Sequence, residues 1–193
     1  MKQLILNTLG FATVAVAFSG LAMAQEPTQG LKLMAGNSEL VNTLSTKSAK
    51  QGDPISVKLT AGIKTPAGVV LPRGTELLGH IDSVKASDNK GPATLAVTFN
   101  QAQLKDGKKL AIKATVAGFA PAGDVQELPI SVAADDSFDQ LAGSNNGVEL
   151  RSAVKEDVSA TLTSSHSNID LSKGTQFLVA VGVQPAQTSA AAE

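Results

Sequence analysis

Two neighbouring stretches of sequence decide the fold: GDPISVKLT at residues 52–60 and GVVLPRGTELLGHI at residues 68–81. In the first stretch, Ile55, Val57 and Leu59 alternate with polar residues, which is the period-two pattern of a β-strand with one buried face. Glycine and proline punctuate both stretches, as they do where strands turn. The two stretches therefore predict antiparallel strands joined by a short turn, in a small closed or nearly closed β-structure.

The same alternation of apolar and polar residues recurs along the chain. An Asp106-Gly107 turn and a Ser172-Lys173-Gly174 turn precede two of the later strands, because glycine accepts a positive φ without steric cost. Short alternating strands separated by such turns are typical of an antiparallel all-β sandwich or small β-barrel. The alternating segments are centred on residues 94–100, 109–116, 158–163 and 177–183.

One segment breaks the β pattern. Residues 135–147 are rich in Asp, Ser, Asn and Gly, and Phe138 and Leu141 are one helical step apart. We expect a short helix or an irregular loop in this segment.

The ends of the chain differ in composition from its middle. Lys2, the apolar stretch after it and the small-residue motif Ala22-Met23-Ala24 predict a signal peptide cleaved after Ala24. Such a signal predicts a periplasmic or secreted protein, and no later run is long enough to span a membrane as a helix. The expected segments are a signal peptide (1–24), a flexible leader (25–38), one β-barrel domain (39–184) and a disordered tail (185–193).

The composition argues against several classes of function. The 193 residues include 16 basic and 17 acidic side chains and no basic patch with interleaved aromatics, so nucleic acid is not an expected partner. The chain has no cysteine, so core packing and backbone pairing must stabilise it without disulfides. It has no Trp and no Tyr, which makes a stacked sugar site or a strong aromatic interface anchor less expected.

Three stretches of the chain together resemble the C-terminal β-barrel of TrbI-type proteins, the scaffold components of conjugation and type IV secretion machines. They are the segment from LSTKS to GHI at residues 44–81, LAVTF and LKDGKKL within residues 95–110, and LSKGTQFLVAV at residues 171–181. The resemblance implies a barrel without catalytic activity that packs against copies of itself and against other envelope proteins.

The chain departs from this family in two respects. A cleavable signal and a short leader stand where the family has an inner-membrane helix and a Pro-rich spacer. The family carries an apolar helical hairpin between barrel strands, whereas residues 133–150 of this chain are polar and too short to cross a bilayer. The resemblance therefore implies a stand-alone exported barrel rather than a pore.

Candidate catalytic residues are few. Ser165, His166 and Asp170 could be drawn as a triad, but triads are defined by geometry and not by adjacency, and the nucleophile motif G-x-S-x-G is absent. We interpret His166 as a solvated loop residue.

Three other titratable residues lie near the second strand. His80 would support a hydrolase if an acid lay beside it, and Glu76 and Asp82 would do so if they shared a cleft. We predict no catalytic residue among them.

Metal and cofactor sites are not predicted either. The oxygen ligands that Ca²⁺ prefers are clustered in one polar segment, but their spacing lacks the EF-hand pattern and its terminal Glu. The glycines of the opening stretches lack the strand-to-helix context and the lysine of a phosphate loop. The residues considered are Asp135, Asp136, Asp139, Asn145 and Asn146 for a cation, and Gly52, Gly68, Gly74 and Gly79 for a phosphate.

The leading hypothesis is a non-enzymatic exported envelope protein, a structural or protein-binding barrel whose partners are envelope proteins or copies of itself. The alternative is a small-ligand carrier or inhibitor that uses the barrel interior, with a cavity lined by Ile55, Val97 and Val179. A hydrolase with an unfamiliar site is the third hypothesis.

Overall fold

The computed structural model describes residues 33–88, 91–123, 141–145, 147–152 and 157–184. The predicted signal peptide and C-terminal tail lie outside these residues. Within the described residues the chain is all-β, and no helix there is long and apolar enough to cross a membrane. The strands are Met34–Leu40 (β1), Leu44–Ser45 (β2), Pro54–Leu59 (β3), Ile63–Lys64 (β4), Val70–Leu71 (β5), Glu76–Lys85 (β6), Ala93–Gln103 (β7), Lys109–Ala120 (β8), Leu141–Asn145 (β9), Val148–Ser152 (β10), Ala160–Ser164 (β11), Asp170–Leu171 (β12) and Gln176–Val183 (β13).

Six of these strands form a closed antiparallel barrel. The order around the ring is β6, β3, β1, β13, β8 and β7, and pairing of β6 with β7 closes it. Closure pairs each of these strands with a neighbour on both sides over at least part of its length, which limits the exposed edge available for edge-to-edge aggregation. The prediction of a small antiparallel barrel is confirmed.

The strands of the ring are strongly staggered. One row of paired residues starts at Ala120 of β8, passes through Gln176, Glu39, Lys58, Glu76 and Gln103, and returns to β8 at Lys109. A path that follows paired residues once around the ring therefore returns to β8 at a position 11 residues (120 − 109) from its starting point. A large stagger requires steeply tilted strands, so a ring of only six strands can still enclose a packed core.

Strands β9, β10 and β11 extend the sheet from one side of the ring. Strands β7 and β8 pair with each other only next to the turn that joins them, where Gln101–Gln103 face Lys109–Ala111. Farther from this turn, the first part of β7 pairs with β11. Ser152 Oγ donates to the carbonyl of Val116, and the Val116 amide donates to the carbonyl of Ser159. The three strands therefore occupy the gap where β7 and β8 diverge.

The interior of the barrel is filled by apolar side chains from all six ring strands. Ile55, Val97 and Val179, the residues expected to line a ligand cavity, all belong to one continuous buried cluster. A Cβ on Gly36 would overlap the side chain of Ile63, so glycine at this position lets β4 pack directly against β1. These contacts make the centre of the barrel a core.

Two tight turns start two of the ring strands in the same way. In Pro72–Thr75 and in Ser172–Thr175, the threonine hydroxyl donates to the carbonyl three residues earlier over 2.8 Å. Each turn also exchanges two backbone hydrogen bonds with a neighbouring leucine, Leu59 in the first case and Leu40 in the second. The turns lie in LPRGTELL (71–78) and LSKGTQFL (171–178), so the same local motif occurs twice, 100 residues apart.

The pairing just before each turn is repeated as well. Ile63 pairs with Leu71 in the small β4–β5 sheet, and Leu44 pairs with Leu171 in the β2–β12 sheet. The second residue pair differs between the two sheets. It is Lys64 with Val70 in the β4–β5 sheet and Ser45 with Asp170 in the β2–β12 sheet. The barrel thus contains two equivalent corners with different surface residues.

Several expectations need correction. Strand β1 starts at Met34, so the barrel begins inside the segment expected to be leader, of which residues 25–32 lie outside the described residues. The segment 135–147 contains a strand, β9, where a helix or irregular loop was expected, because residues 141–145 pair with β10. Residues 135–140 of that segment are not described.

The sequence predicted that every strand has one polar, solvent-facing side, and β13 does not fit this prediction. On β13, Leu178 and Ala180 are buried although they face away from the barrel interior, and Thr115 opposite Ala180 is buried too. A strand buried on both faces has a nearly continuous apolar sequence, which is the sequence of β13.

We expect Gly74→Val to lower the free energy of unfolding by about 1–3 kcal/mol, because Gly74 has φ +85° and valine is strained in that region. A Cβ at this position would also lie 2.7 Å from Cε of Lys105, but that flexible side chain can move. Gly74→Asn is the matched control and should lose less, since Asn tolerates a positive φ. Urea denaturation measures both, and equal stability of Gly74→Val and the parent chain would contradict the turn assignment.

We expect Gly79→Ala to be more damaging, by about 3 kcal/mol, because a Cβ there would overlap the backbone carbonyl of Thr98 and force β6 away from β7. The control is Gly52→Ala, where φ is +86° but no atom lies within 4 Å of the new Cβ. Thermal denaturation should rank Gly79→Ala well below Gly52→Ala. The reverse order would show that close packing of β6 on β7 does not limit barrel stability.

Candidate functional site

His80 lies beside an acid, which is the arrangement that would support a hydrolase. Its Nε2 atom is 3.2 Å from Oδ1 of Asp82, two residues along β6. Both side chains reach solvent, with 44% of the His80 side chain and 27% of the Asp82 side chain exposed. A register shift in the β6–β7 pairing between Ile81 and Ser83 accompanies this arrangement.

The order of groups in this cluster does not match a nucleophilic triad. Thr98 Oγ1 donates to Oδ2 of Asp82 over 2.8 Å and is also 3.1 Å from the carbonyl of Asp157. The acid therefore lies between the histidine and the hydroxyl, whereas a base must lie between the acid and the nucleophile to remove its proton. The cluster can hold β6 and β7 together at their outer surface, and its geometry does not activate Thr98.

Among the described residues, no catalytic arrangement surrounds the second histidine. His166 and Ser165 are exposed in the loop between β11 and β12. Asp170 Oδ1 instead accepts a hydrogen bond from Ser45 Oγ, a residue of β2. In the parts of the chain that the structure describes, the one ion pair joins His80 to Asp82, and His166 pairs with no acid. The structure therefore does not assemble Ser165, His166 and Asp170 as a triad.

Glu76 and Asp82 do not form a carboxylate pair. They are six residues apart on β6, which at about 3.3 Å per residue places them roughly 20 Å apart along the strand. Carboxyl groups that cooperate in glycoside hydrolysis are about 5–9.5 Å apart. Glu76 instead lies between Lys58 and Gln103 in the cross-strand row.

The residues considered as possible cation ligands, for which no site was predicted, fall mostly outside the described residues. Asp135, Asp136, Asp139 and Asn146 are among the residues left undescribed, and Asn145 is the last residue of β9. Within the described ranges no three His, Cys, Asp or Glu side chains are grouped closely enough to bind a metal. The absence of a metal site therefore stays a prediction.

A depression with a mainly apolar lining lies beside β12, where residues of β8, β10 and β12 meet. This hollow has a volume of about 250 Å³. It is lined by five apolar residues and three polar ones, and Asp170 among the polar residues is exposed. The lining residues are Phe119, Pro121, Ala122, Val148 and Leu171, with Asp170, Ser172 and Thr175. We call this depression the Leu171 hollow.

Two more polar depressions are both lined by Gly74, and their volumes are about 270 and 330 Å³. Lys58 and Lys105 line both of them, and Arg73 lines the second. Glu76 lines the first and Glu39 the second, so positive and negative side chains are mixed around Gly74. Mixed charge at this corner gives it no strong preference for an anion or for a cation.

Sequence reasoning did not find the Leu171 hollow or the exposed Val70. The exposure of Val70 could have been predicted from the run Val69-Val70-Leu71. A strand buries alternate residues, so one member of an unbroken apolar run must face outward. Leu71 is buried completely, while 56% of Val70 is exposed. The hollow had no sequence signal, since its walls come from β8, β10 and β12.

Comparisons with known proteins give a loose likeness. The structure is similar to that of ComB10 of the Com type IV secretion system of Helicobacter pylori, with a TM-score of 0.38, 12% sequence identity, and coverage of 80% of this chain and 86% of that chain. No protein-family model and no curated protein matches the sequence.

We expect Asp82→Ala to lower the free energy of unfolding by about 0.5–1.5 kcal/mol, because it removes the nearer of the two acceptors of the Thr98 hydroxyl. His80→Ala should change stability by less than about 0.5 kcal/mol, since the pair is exposed. Asp82→Asn keeps an acceptor and is the control. Chemical denaturation of the three variants tests this, and a larger loss in His80→Ala than in Asp82→Ala would contradict it.

Proposed function

We propose that this chain is a non-enzymatic cell-envelope protein whose β-barrel acts as a structural or protein-binding module. The observation that carries this proposal is the filled interior of a closed barrel, with Val97 and Val179 among the buried core residues. A closed ring of paired strands with a packed core is a rigid body that can present fixed surface features to a partner.

The outer surface supports a binding role better than a catalytic one. The His80–Asp82–Thr98 cluster has the acid in the middle, so the histidine of this cluster does not face the Thr98 hydroxyl as a base. Five of the eight residues that line the Leu171 hollow are apolar and one is the acidic residue Asp170, which suits an apolar side chain of a protein partner. A carrier that uses the barrel interior has less support, because Ile55, Val97 and Val179 pack into the core.

The proposed location is the periplasm or the outside of the cell, after removal of the predicted signal peptide. Edman sequencing or mass spectrometry of the mature protein should find Gln25 as the first residue. A mature chain that still begins at Met1 would contradict both cleavage and the proposed location.

A capture experiment tests the proposed function. The full chain, with an affinity tag at its C-terminus, should retain a specific partner from a solubilised envelope extract, and the partner should capture the chain in return. A chain carrying Gly79→Ala, which is expected to loosen the barrel, controls for capture by exposed apolar surface. Turnover of ester, peptide or glycoside substrates by a monomeric protein without a partner would overturn the proposal.

A further inference from the structure

The β4–β5 hairpin carries an exposed apolar surface. Val70 is the large apolar side chain with the greatest exposure in the described residues, at 56%, and Pro66 and Ala67 at the tip are also exposed. Lys64 pairs with Val70 across the hairpin, so both side chains face the same way. We call Lys64, Pro66, Ala67 and Val70 the hairpin knob.

The knob is held in one conformation. The amide of Thr65 donates to the carbonyl of Val69, and the amide of Gly68 donates to the carbonyl of Thr65, both over 2.8 Å. On the opposite face of the hairpin, Ile63 and Leu71 are buried in the barrel core. A knob that is already ordered loses little conformational entropy when it binds.

The Leu171 hollow is complementary to this knob. An apolar cavity of about 150 Å³ is enough to bind benzene, so 250 Å³ can receive Val70 together with part of the tip. Asp170 among its lining residues uses Oδ1 to accept from Ser45, and Oδ2 has no partner within the described residues. An apolar cavity beside a carboxylate therefore matches an apolar side chain beside a lysine.

The knob and the hollow lie at the two equivalent corners of the barrel. Val70 in one corner occupies the position of Asp170 in the other, and Lys64 occupies the position of Ser45. No residue of the knob lines the hollow of its own molecule. Two different, mutually complementary surfaces on one chain produce a head-to-tail contact between copies.

We propose that the hairpin knob of one molecule docks in the Leu171 hollow of a second copy, with Lys64 of the first near Asp170 of the second. This inference rests on the proposed binding function and names the partner and the surfaces. A knob of four residues is smaller than a stable interface, which buries roughly 1,200–2,000 Å² in total. Association is therefore weak, and it becomes visible at high protein concentration.

Two surface substitutions test the contact by sedimentation velocity over a concentration series. Val70→Asp places a charge on the knob, and Ala122→Phe fills the hollow; both residues are exposed, so the fold should survive, as circular dichroism can verify. Each substitution should weaken self-association by about tenfold or more. The matched controls, Val70→Ile and Ala122→Ser, should associate like the parent chain.

Mixing the two variants separates this contact from other modes of association. The intact knob of Ala122→Phe should enter the intact hollow of Val70→Asp, giving one-to-one heterodimers that cannot grow further. A symmetric knob-to-knob contact would instead leave Ala122→Phe unaffected, and that result would overturn the proposal. Loss of association in Lys64→Glu, with recovery in the double variant Lys64→Glu/Asp170→Lys, would support the predicted charge pair.

The experiment also distinguishes the inference from the proposed function. A parent chain that stays monomeric at every concentration would overturn self-docking. The proposed binding function would then stand or fall on the envelope capture alone. Binding of the parent chain, but not of Val70→Asp, to liposomes in place of self-association would identify the knob as a lipid contact and would also overturn self-docking.

Discussion

The barrel depends on two buried threonine hydroxyls that close two equivalent turns. Thr75 and Thr175 are each almost fully buried, and each donates to the carbonyl three residues earlier. A hydroxyl buried without a partner costs about 1–3 kcal/mol, so these bonds strongly favour one turn geometry. Each turn also pairs with the end of a neighbouring ring strand, at Leu59 or at Leu40. The turns thereby set the register of β6 on β3 and of β13 on β1.

Closure of the ring imposes a second, steric constraint. The backbones of β6 and β7 approach so closely at Gly79 that no Cβ fits against Thr98. His80 and Asp82 flank the buried Ile81, so strand alternation places both on the outer surface, and the pairing of β6 with β7 places Thr98 next to them. The titratable cluster is thus a consequence of how the barrel closes, and its geometry can be understood without a catalytic role.

The fold was largely predictable because its signals are local. Alternation identified Ile55, Val57 and Leu59 as one buried face, and Gly107 and Gly174 adopt the positive φ that their turns require. The outward burial of Leu178 and Thr115 was not predictable, since it depends on what covers β13 and β8 in three dimensions. The strand at 141–145 was missed for a related reason, because pairing with β10 overrides the weak β-propensity of its Gly, Ser and Asn residues.

The candidate binding surfaces arise from differences between the two corners that the turns create. Burial constrains Leu71 and Leu171 equally, because each anchors its corner in the core. The second residue pair of each corner is not constrained in this way, because it contributes little to the core. It is Lys64–Val70 in one corner and Ser45–Asp170 in the other. One corner therefore carries the exposed apolar residue Val70, and the other a hollow lined in part by Asp170, without a change in the buried leucines. A repeated structural motif with unequal surfaces yields two complementary sites on a single rigid body, which is the requirement for a directional scaffold.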